Sequence, residues 1–279
     1  MRNSIATAIA FIFIFPASLL SQDHSEKNAN ELARSVLQNE VKAEADDHSH
    51  WMLKVETENS RGKEVDEVVE TKNGDLKRPL LIDGHPLTPQ QERAADEQIR
   101  RLARNPAALR KSMKAQNDDA AQSQRMLKIL PQALLFRFGQ QKGDAVDLLF
   151  SPNPHFRPPT REAQVFQAME GDLWVDAKQK RLIEIDGRLT HEVKFGGGWL
   201  GHLNAGGKFQ VRQAEVAPGY WELTLLHVDM RGKALFFKTI GVKQKMQRSD
   251  FHQVPDNLTM ADAADLLHKQ TVAAVKAGQ

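Results

Sequence analysis

The chain has 279 residues, 41% hydrophobic and 27% charged, a balance that excludes a disordered chain and fits a globular one. Its 38 basic and 36 acidic residues give a net charge of +2, too even for the cationic surplus that nonspecific nucleic-acid binding draws on. It contains no cysteine, which excludes disulfides, thiol nucleophiles and a lipid anchor on an N-terminal cysteine.

Met1-Arg2-Asn3 puts positive charge ahead of an apolar run, Ile5 to Phe15, that only Thr7 interrupts before Pro16 breaks it. With the small residue Ser21 at the expected cleavage position, this predicts a secretory signal over residues 1–21 and a periplasmic or otherwise exported protein. The apolar run is about half of the roughly 20 residues that a membrane span requires, so a cleaved signal is expected and not an anchor. The remainder, 22–279, is long enough for one large domain.

Residues 23–29 read as a polar leader. Asn28 with Glu31 predicts a helix start, and Leu32, Val36, Leu37 and Val41 follow at helical spacing until Glu44-Ala45-Asp46-Asp47 ends the stripe. Strands are expected from Trp51 to Ile82, turning at Asn59–Gly62 and again at Asn73-Gly74, a dipeptide that suits tight hairpins. Thr88-Pro89-Gln90-Gln91 sets a capping threonine, a proline at the first helical position and a glutamine at the third. Ala95, Ile99, Leu102 and Ala103 form the apolar stripe of the helix that follows. Asn105-Pro106 restarts the chain as a second helix with Leu109 and Met113 on one face, and a third helical piece ends at Leu130 before Pro131. Residues 88–130 are thus expected as a helical insertion.

From Pro131 to about Pro255 the pattern is antiparallel strand. Phe136 and Phe138 share a face, and Val146, Leu148 and Phe150 alternate with Asp147. Leu173 and Val175 flank one side of a turn at Ala177–Lys180, with Ile183 and Ile185 on the other. Trp221, Leu223 and Leu225 alternate after Ala217-Pro218-Gly219, and a phase slip at Leu226 predicts a bulge. Thr259 with Asp262 predicts the cap of a final helix. The expected fold class is α+β: a curved antiparallel sheet forming an open half-barrel, a helical lid inserted at 88–130, and helices at both ends.

Motifs for chemistry do not find their context. Gly196-Gly197-Gly198-Trp199-Leu200-Gly201 matches a dinucleotide pattern by letter, yet a new strand is expected at Phe209 where the phosphate-binding helix should stand. His191-Glu192 opens like a zinc-protease motif, but Phe195 replaces its second histidine. Asp46-Asp47-His48-Ser49-His50 is a dense ligand cluster that a solvated helix end explains better than metal capture does. Asp172, Asp176, Glu184 and Asp186 alternate with apolar positions, as a solvated sheet face requires. No catalytic residue, metal or cofactor is therefore expected.

One charge pattern stands out. Between Gln98 and Asn117 lie Arg100, Arg101, Arg104, Arg110, Lys111 and Lys114 with no acid among them. This is a solvated helix face, or a surface for anionic lipid headgroups or an acidic partner. Nucleic acid is not expected, because no aromatic residues interleave with the basic ones and the first residues predict an export signal.

The order of helix, strands, inserted helices, strands and helix resembles the LolA/LolB-like group of periplasmic lipoprotein carriers and lipid-binding relatives. Gly171-Asp172-Leu173-Trp174-Val175-Asp176 resembles that group's central strand, with Ile183-Glu184-Ile185 as its partner. The loop Arg157–Pro159 and Gly219-Tyr220-Trp221 are similar to a branch of exported bacterial proteins. The resemblance implies a non-enzymatic monomer that carries or senses a lipid, acyl chain or lipoprotein-type group, with peripheral membrane or envelope-protein contact. In a half-barrel of that kind Phe136, Phe138, Val146, Leu148 and Phe150 would line the cavity together with Leu173, Val175, Ile183 and Ile185. Trp221, Leu223 and Leu225 would extend this wall, and Leu102, Leu109 and Met113 would close it from the lid. Periodicity shows a buried face without showing what covers it, so packing by neighbouring side chains stays open as the alternative.

Overall fold

A computed structural model describes residues 18–198, 200–234 and 238–277. Residues 1–17 of the expected signal segment 1–21 lie outside the described residues, as do the side chains of Leu109, Arg110 and Lys111. Helix α1 (Ser18–Asp46) leads into strands β1 (His50–Asn59), β2 (Gly62–Val69), β3 (Leu76–Ile82) and the short β4 (His85–Pro86). Two helices follow, α2 (Pro89–Ala103) and α3 (Pro106–Ala133). The chain then runs through β5 (Leu134–Lys142), β6 (Ala145–Pro152), a 3-10 turn at Glu162–Ala168, β7 (Met169–Asp176) and β8 (Arg181–Leu189). Short β9 (Val193–Phe195) and β10 (Gly201–Leu203) precede β11 (Lys208–Ala217), β12 (Tyr220–Ala234), β13 (Lys238–Val254) and α4 (Met260–Ala277).

The result is α+β, as the strand alternation predicts. One antiparallel sheet of 13 strands runs in the order β4-β3-β2-β1-β13-β12-β11-β8-β7-β6-β5 and does not close, with β9 and β10 paired off β12. The β1–β13 pairing joins the two ends of the chain, from His50 opposite Val254 to Asn59 opposite Gln244. Two glycines, Gly171 and Gly187, stand opposite one another on β7 and β8. A Cβ on Gly187 would strike the Phe209 ring, so that ring and Phe150 fill the space there, and one on Gly171 would strike the main chain at Asp186.

Directly opposed residues of neighbouring strands share a face, so the register separates the two faces of the sheet. On one face, Leu226, Val211, Ile185, Leu173 and Leu148 form a continuous row across β12, β11, β8, β7 and β6. Helix α1 lies on this row through Ala29, Ala33, Val36 and Leu37, joined by Leu130 and Ala133 from the end of α3. Polar bonds fix α1 there. Buried Glu40 accepts from the Leu182 main-chain N–H (2.7 Å) and from Arg181 (2.9 Å). Asn39 donates to the carbonyl of Lys180, and Asn30 exchanges bonds with the main chain of Phe136.

The opposite face is covered at the other end of the sheet. Met52, Val69 and Leu76 stand in register on β1, β2 and β3. They pack against Ile99 of α2 and Met260, Ala263, Ala264 and Leu267 of α4, with Leu102 at the margin. Both helices begin where their caps predict. The Gln91 N–H donates to the Thr88 hydroxyl (3.3 Å) while the Thr88 N–H donates to the Gln91 side chain (2.8 Å). The Asp262 N–H donates to the Thr259 hydroxyl (3.1 Å) in the same way.

Four expectations need correction. The first helix starts by Ser18 and not at Asn28, because no breaker lies between them and the polar leader is itself helical. The second and third helical pieces are one helix, α3, which continues through Pro131 to Ala133; a proline two residues from the end removes little of the ladder. Ile183 does not share the face of Ile185. Val175 pairs with Leu182 and Trp174 with Glu184, so Ile183 is the extra residue of a bulge and Leu182 takes its buried place. Finally, the 88–130 segment does not lie over the Phe136–Ile185 wall along its whole length: of its described side chains, Met126, Leu127, Ile129 and Leu130 at the end of α3 pack there beside α1. The first helix of the segment packs on the far wing with α4.

Candidate functional site

The uncovered stretch of the face that carries Met52 forms an open cleft of about 1000 Å³. Three rows of side chains run toward it from the second core. Met52, Val69 and Leu76 are covered. The next row is charged: Ser249, Lys54, Glu67 and Arg78 stand opposite one another on β13, β1, β2 and β3. The third row, Arg212, Leu225, Gln247, Glu56, Val65 and Leu81, crosses six strands and forms the cleft floor. Leu80, Pro86 and Leu87 of the β3–β4 hairpin and Glu92 of α2 raise one wall, and Thr224 sits at the other. Thr224 is the extra residue of the bulge between Arg212 and Gln213, two residues before the expected slip at Leu226, and its hydroxyl donates to the Arg212 carbonyl (3.2 Å).

Cations of the cleft are engaged by acids outside or beside it. Lys54 pairs with Asp250 at 2.7 Å, Arg212 with Glu184 at 2.8 Å, and buried Arg78 with Asp96 of α2. Glu56 is held by Lys63 at 2.9 Å. Glu67 differs from all of these. It is 5% exposed, and no described residue forms a hydrogen bond or close ion pair with it. Burial pushes its carboxyl above the ordinary range, and the more distant charges of Lys54, Arg78 and His252 only partly oppose this.

A second charged cluster lies on the other face. Arg248 pairs with both Glu70 and Glu222, beside Trp51, whose ring meets Tyr220 and Phe251 edge to face at 5.6 and 6.0 Å. Burial raises Glu70 to about 7, Arg248 offsetting part of the rise, and raises Glu222 as well. A cavity of about 690 Å³ adjoins it, between the acidic end of α1 and the β11–β12 turn. Glu40, Glu44, Asp46, Asp47, Glu222 and Asp256 dominate its charge.

The expected lining residues divide among these places. Phe136, Val146, Leu148, Phe150, Leu173, Val175 and Ile185 come together, but beneath α1 in the first core. Phe138 continues their row onto the sheet edge and is 42% exposed. Trp221 and Leu223 are half-buried at the 690 Å³ cavity. Leu225 lines the open cleft. Leu102 belongs to the second core and Met113 is half-buried on α3. Of the basic residues, Arg100, Arg101 and Arg104 are exposed around the end of α2, and Lys114 is exposed and paired with Asp118 at 3.2 Å. Among the described residues no three metal-ligating side chains converge, at His48 and His50 or elsewhere. No described helix is long and apolar enough to cross a membrane.

Sequence reasoning missed Glu67, although a signal was present. Val65, Glu67 and Val69 occupy alternate positions of one strand, so a carboxyl interrupts an otherwise apolar stripe. Comparison with known proteins adds nothing to this picture: no family model, curated protein or solved structure matches the chain. The fold and cleft define an α+β protein with an open, curved antiparallel sheet and a long surface groove.

Proposed function

We propose that this chain is a non-enzymatic, exported envelope protein that holds a lipid, acyl chain or similar apolar ligand in the cleft beside Leu225, as a carrier or sensor. The observation that carries the reading is the cleft itself. Its volume of about 1000 Å³ matches the upper part of the roughly 300–1,000 Å³ range of small-molecule sites. Val65, Leu80, Leu81, Leu87 and Leu225 supply its apolar surface. The signal-like first residues and the resemblance to LolA/LolB-like carriers point to the same class. Each buried methylene of a guest contributes about 0.8 kcal/mol, so a short acyl chain suffices for measurable affinity. The ligand position differs from the wall that alternation suggested, because α1 occupies that wall.

Titration with a fluorescent acyl probe tests the proposal. Leu81 is half-buried, so Leu81→Arg sets a charge in the groove at little cost to the fold. We expect affinity to fall at least about tenfold, the ratio of 1.4 kcal/mol, with an unchanged melting temperature. A wild-type protein that binds no apolar probe overturns the reading.

Exposed Arg100, Arg101 and Arg104 favour a second role, docking to anionic headgroups or to an acidic envelope partner. Reversing these three charges separates the roles: partner or vesicle binding is lost while probe binding in the cleft persists.

A further inference from the structure

We infer that Glu67 accepts a hydrogen bond from the ligand, and that the cleft selects an apolar body carrying an amine or hydroxyl headgroup over one carrying an acid. The inference rests on the cleft being the ligand site. Glu67 lies at the boundary between the covered second core and the open floor, in register with Lys54 and Arg78 and one row from Val65. Its side chain is nearly buried, accepts no hydrogen bond from a described residue and lines the cleft, so the water that reaches its oxygens there is compensation that a guest filling the cleft removes and must replace. A ligand donor supplies that compensation.

Accounting for the remaining charges sets the headgroup. The basic side chains that face Glu67 from neighbouring strands are Lys54 on β1, Arg78 on β3 and His252 on β13. Lys54 and Arg78 already hold Asp250 and Asp96, and Arg212 across the floor holds Glu184. Glu92 on the wall adds a further negative charge with no close ion pair among the described residues. The groups left to be satisfied are therefore acceptors. An alkylamine or an alkyl alcohol offers a donor to them, whereas a carboxylate headgroup faces Glu67 with like charge and competes for cations that are taken.

Displacement of a bound fluorescent acyl probe by decylamine, decanol and decanoate, each below its aggregation threshold, reads this directly. In the wild-type protein the amine and the alcohol should displace the probe at concentrations about tenfold or more below the acid, the ratio that a hydrogen bond to a charged group supplies. Glu67→Gln keeps the shape and removes the charge, and should collapse the gap between amine and acid to within about threefold. Equal displacement by all three in the wild type, or a ranking that Glu67→Gln leaves intact, overturns the assignment of Glu67 while leaving the apolar site standing. If none of the three displaces the probe and the probe itself does not bind, the cleft reading fails first.

Discussion

In the wing from β5 to β8, helix α1 roofs the face that bears Leu148 and Leu173. In the wing from β1 to β3, helices α2 and α4 roof the opposite face, that of Met52, Val69 and Leu76. The register leaves no ambiguity about this reversal, since Leu226 continues the first row and its neighbour Leu225 continues toward Glu56 on the strand of Met52. An amphipathic sheet must bury one face, but nothing requires the same face along its whole width. Where the cover changes sides, the middle strands have neither roof, and the cleft opens there. The candidate site is thus a consequence of how two cores share one sheet.

The largest test of this comparison concerns whether the wings are one thermodynamic unit. Leu148 of the first core and Leu267 of the second are both fully buried. Truncation to alanine should cost about 2–5 kcal/mol in each case, by lost burial and the cavity left behind. Because β1, β13, β12 and β11 form an unbroken ladder between the wings, we expect a single denaturant transition shifted by either substitution. Two transitions, each moved by only one of the variants, would show that the wings fold separately and that the cleft is a hinge between domains.

The next effect is electrostatic and belongs to the junction. Glu70 has a native value of about 7 against an ordinary 4.5, so the folded protein holds a proton that the unfolded chain has released over that interval. Stability from this group is accordingly full below pH 4.5 and falls as pH rises through about 7, by up to about 3 kcal/mol. Glu222, raised by the same burial, adds a slope of the same sign. Denaturation measured from pH 4.5 to 8 should show the decline, and Glu70→Gln should flatten most of it. A wild-type curve that rises across this window contradicts the burial of the cluster.

Much of this architecture was legible in the residues themselves. Caps at Thr88 and Thr259, the Asn73-Gly74 hairpin and the alternation in β6 and β7 are local signals with local causes, and the structure follows them. What covers each strand is not local. The stripes of α1 and α2 are both amphipathic, and choosing α1 for the Leu148 wall depends on Glu40 meeting the N–H of Leu182, residues with seven strands of chain between them. That N–H lies beside the Ile183 bulge, which alternation alone could not reveal. The cleft is least legible, since its floor joins residues from Glu56 to Gln247 through a pairing of the two chain ends. Among the expected lining residues whose side chains are described, only Leu225 reaches it.

The two sheet edges also differ, and a smaller effect measures how. At one end β4 has two residues, too short to recruit another strand. At the other, β5 has nine, and exposed Leu135 and Phe138 lie on it. Asn30 protects this edge by acting as a substitute strand: its amide donates to the Phe136 carbonyl and its oxygen accepts the Phe136 N–H, both at 3.2 Å. Asn30→Ala should cost about 1–2 kcal/mol for the two main-chain groups left unpaired. It should also produce concentration-dependent association in sedimentation, which the wild-type protein should not show.

The smallest stability effect separates the two roofing helices by function. Alanine at Thr88 or at Thr259 removes a capping hydroxyl, and each should cost about 1 kcal/mol. On thermal melting the two variants should be nearly indistinguishable. Their consequences for binding should diverge, because the first turn of α2 follows Leu87 directly and carries Glu92, both on the cleft wall, whereas the cap of α4 contributes no lining residue. Thr88→Ala should therefore weaken displacement-measured affinity severalfold, and Thr259→Ala should leave it unchanged. Equal losses from both variants would mean that binding follows global stability, and that the wall formed by α2 has no separate part in holding the ligand.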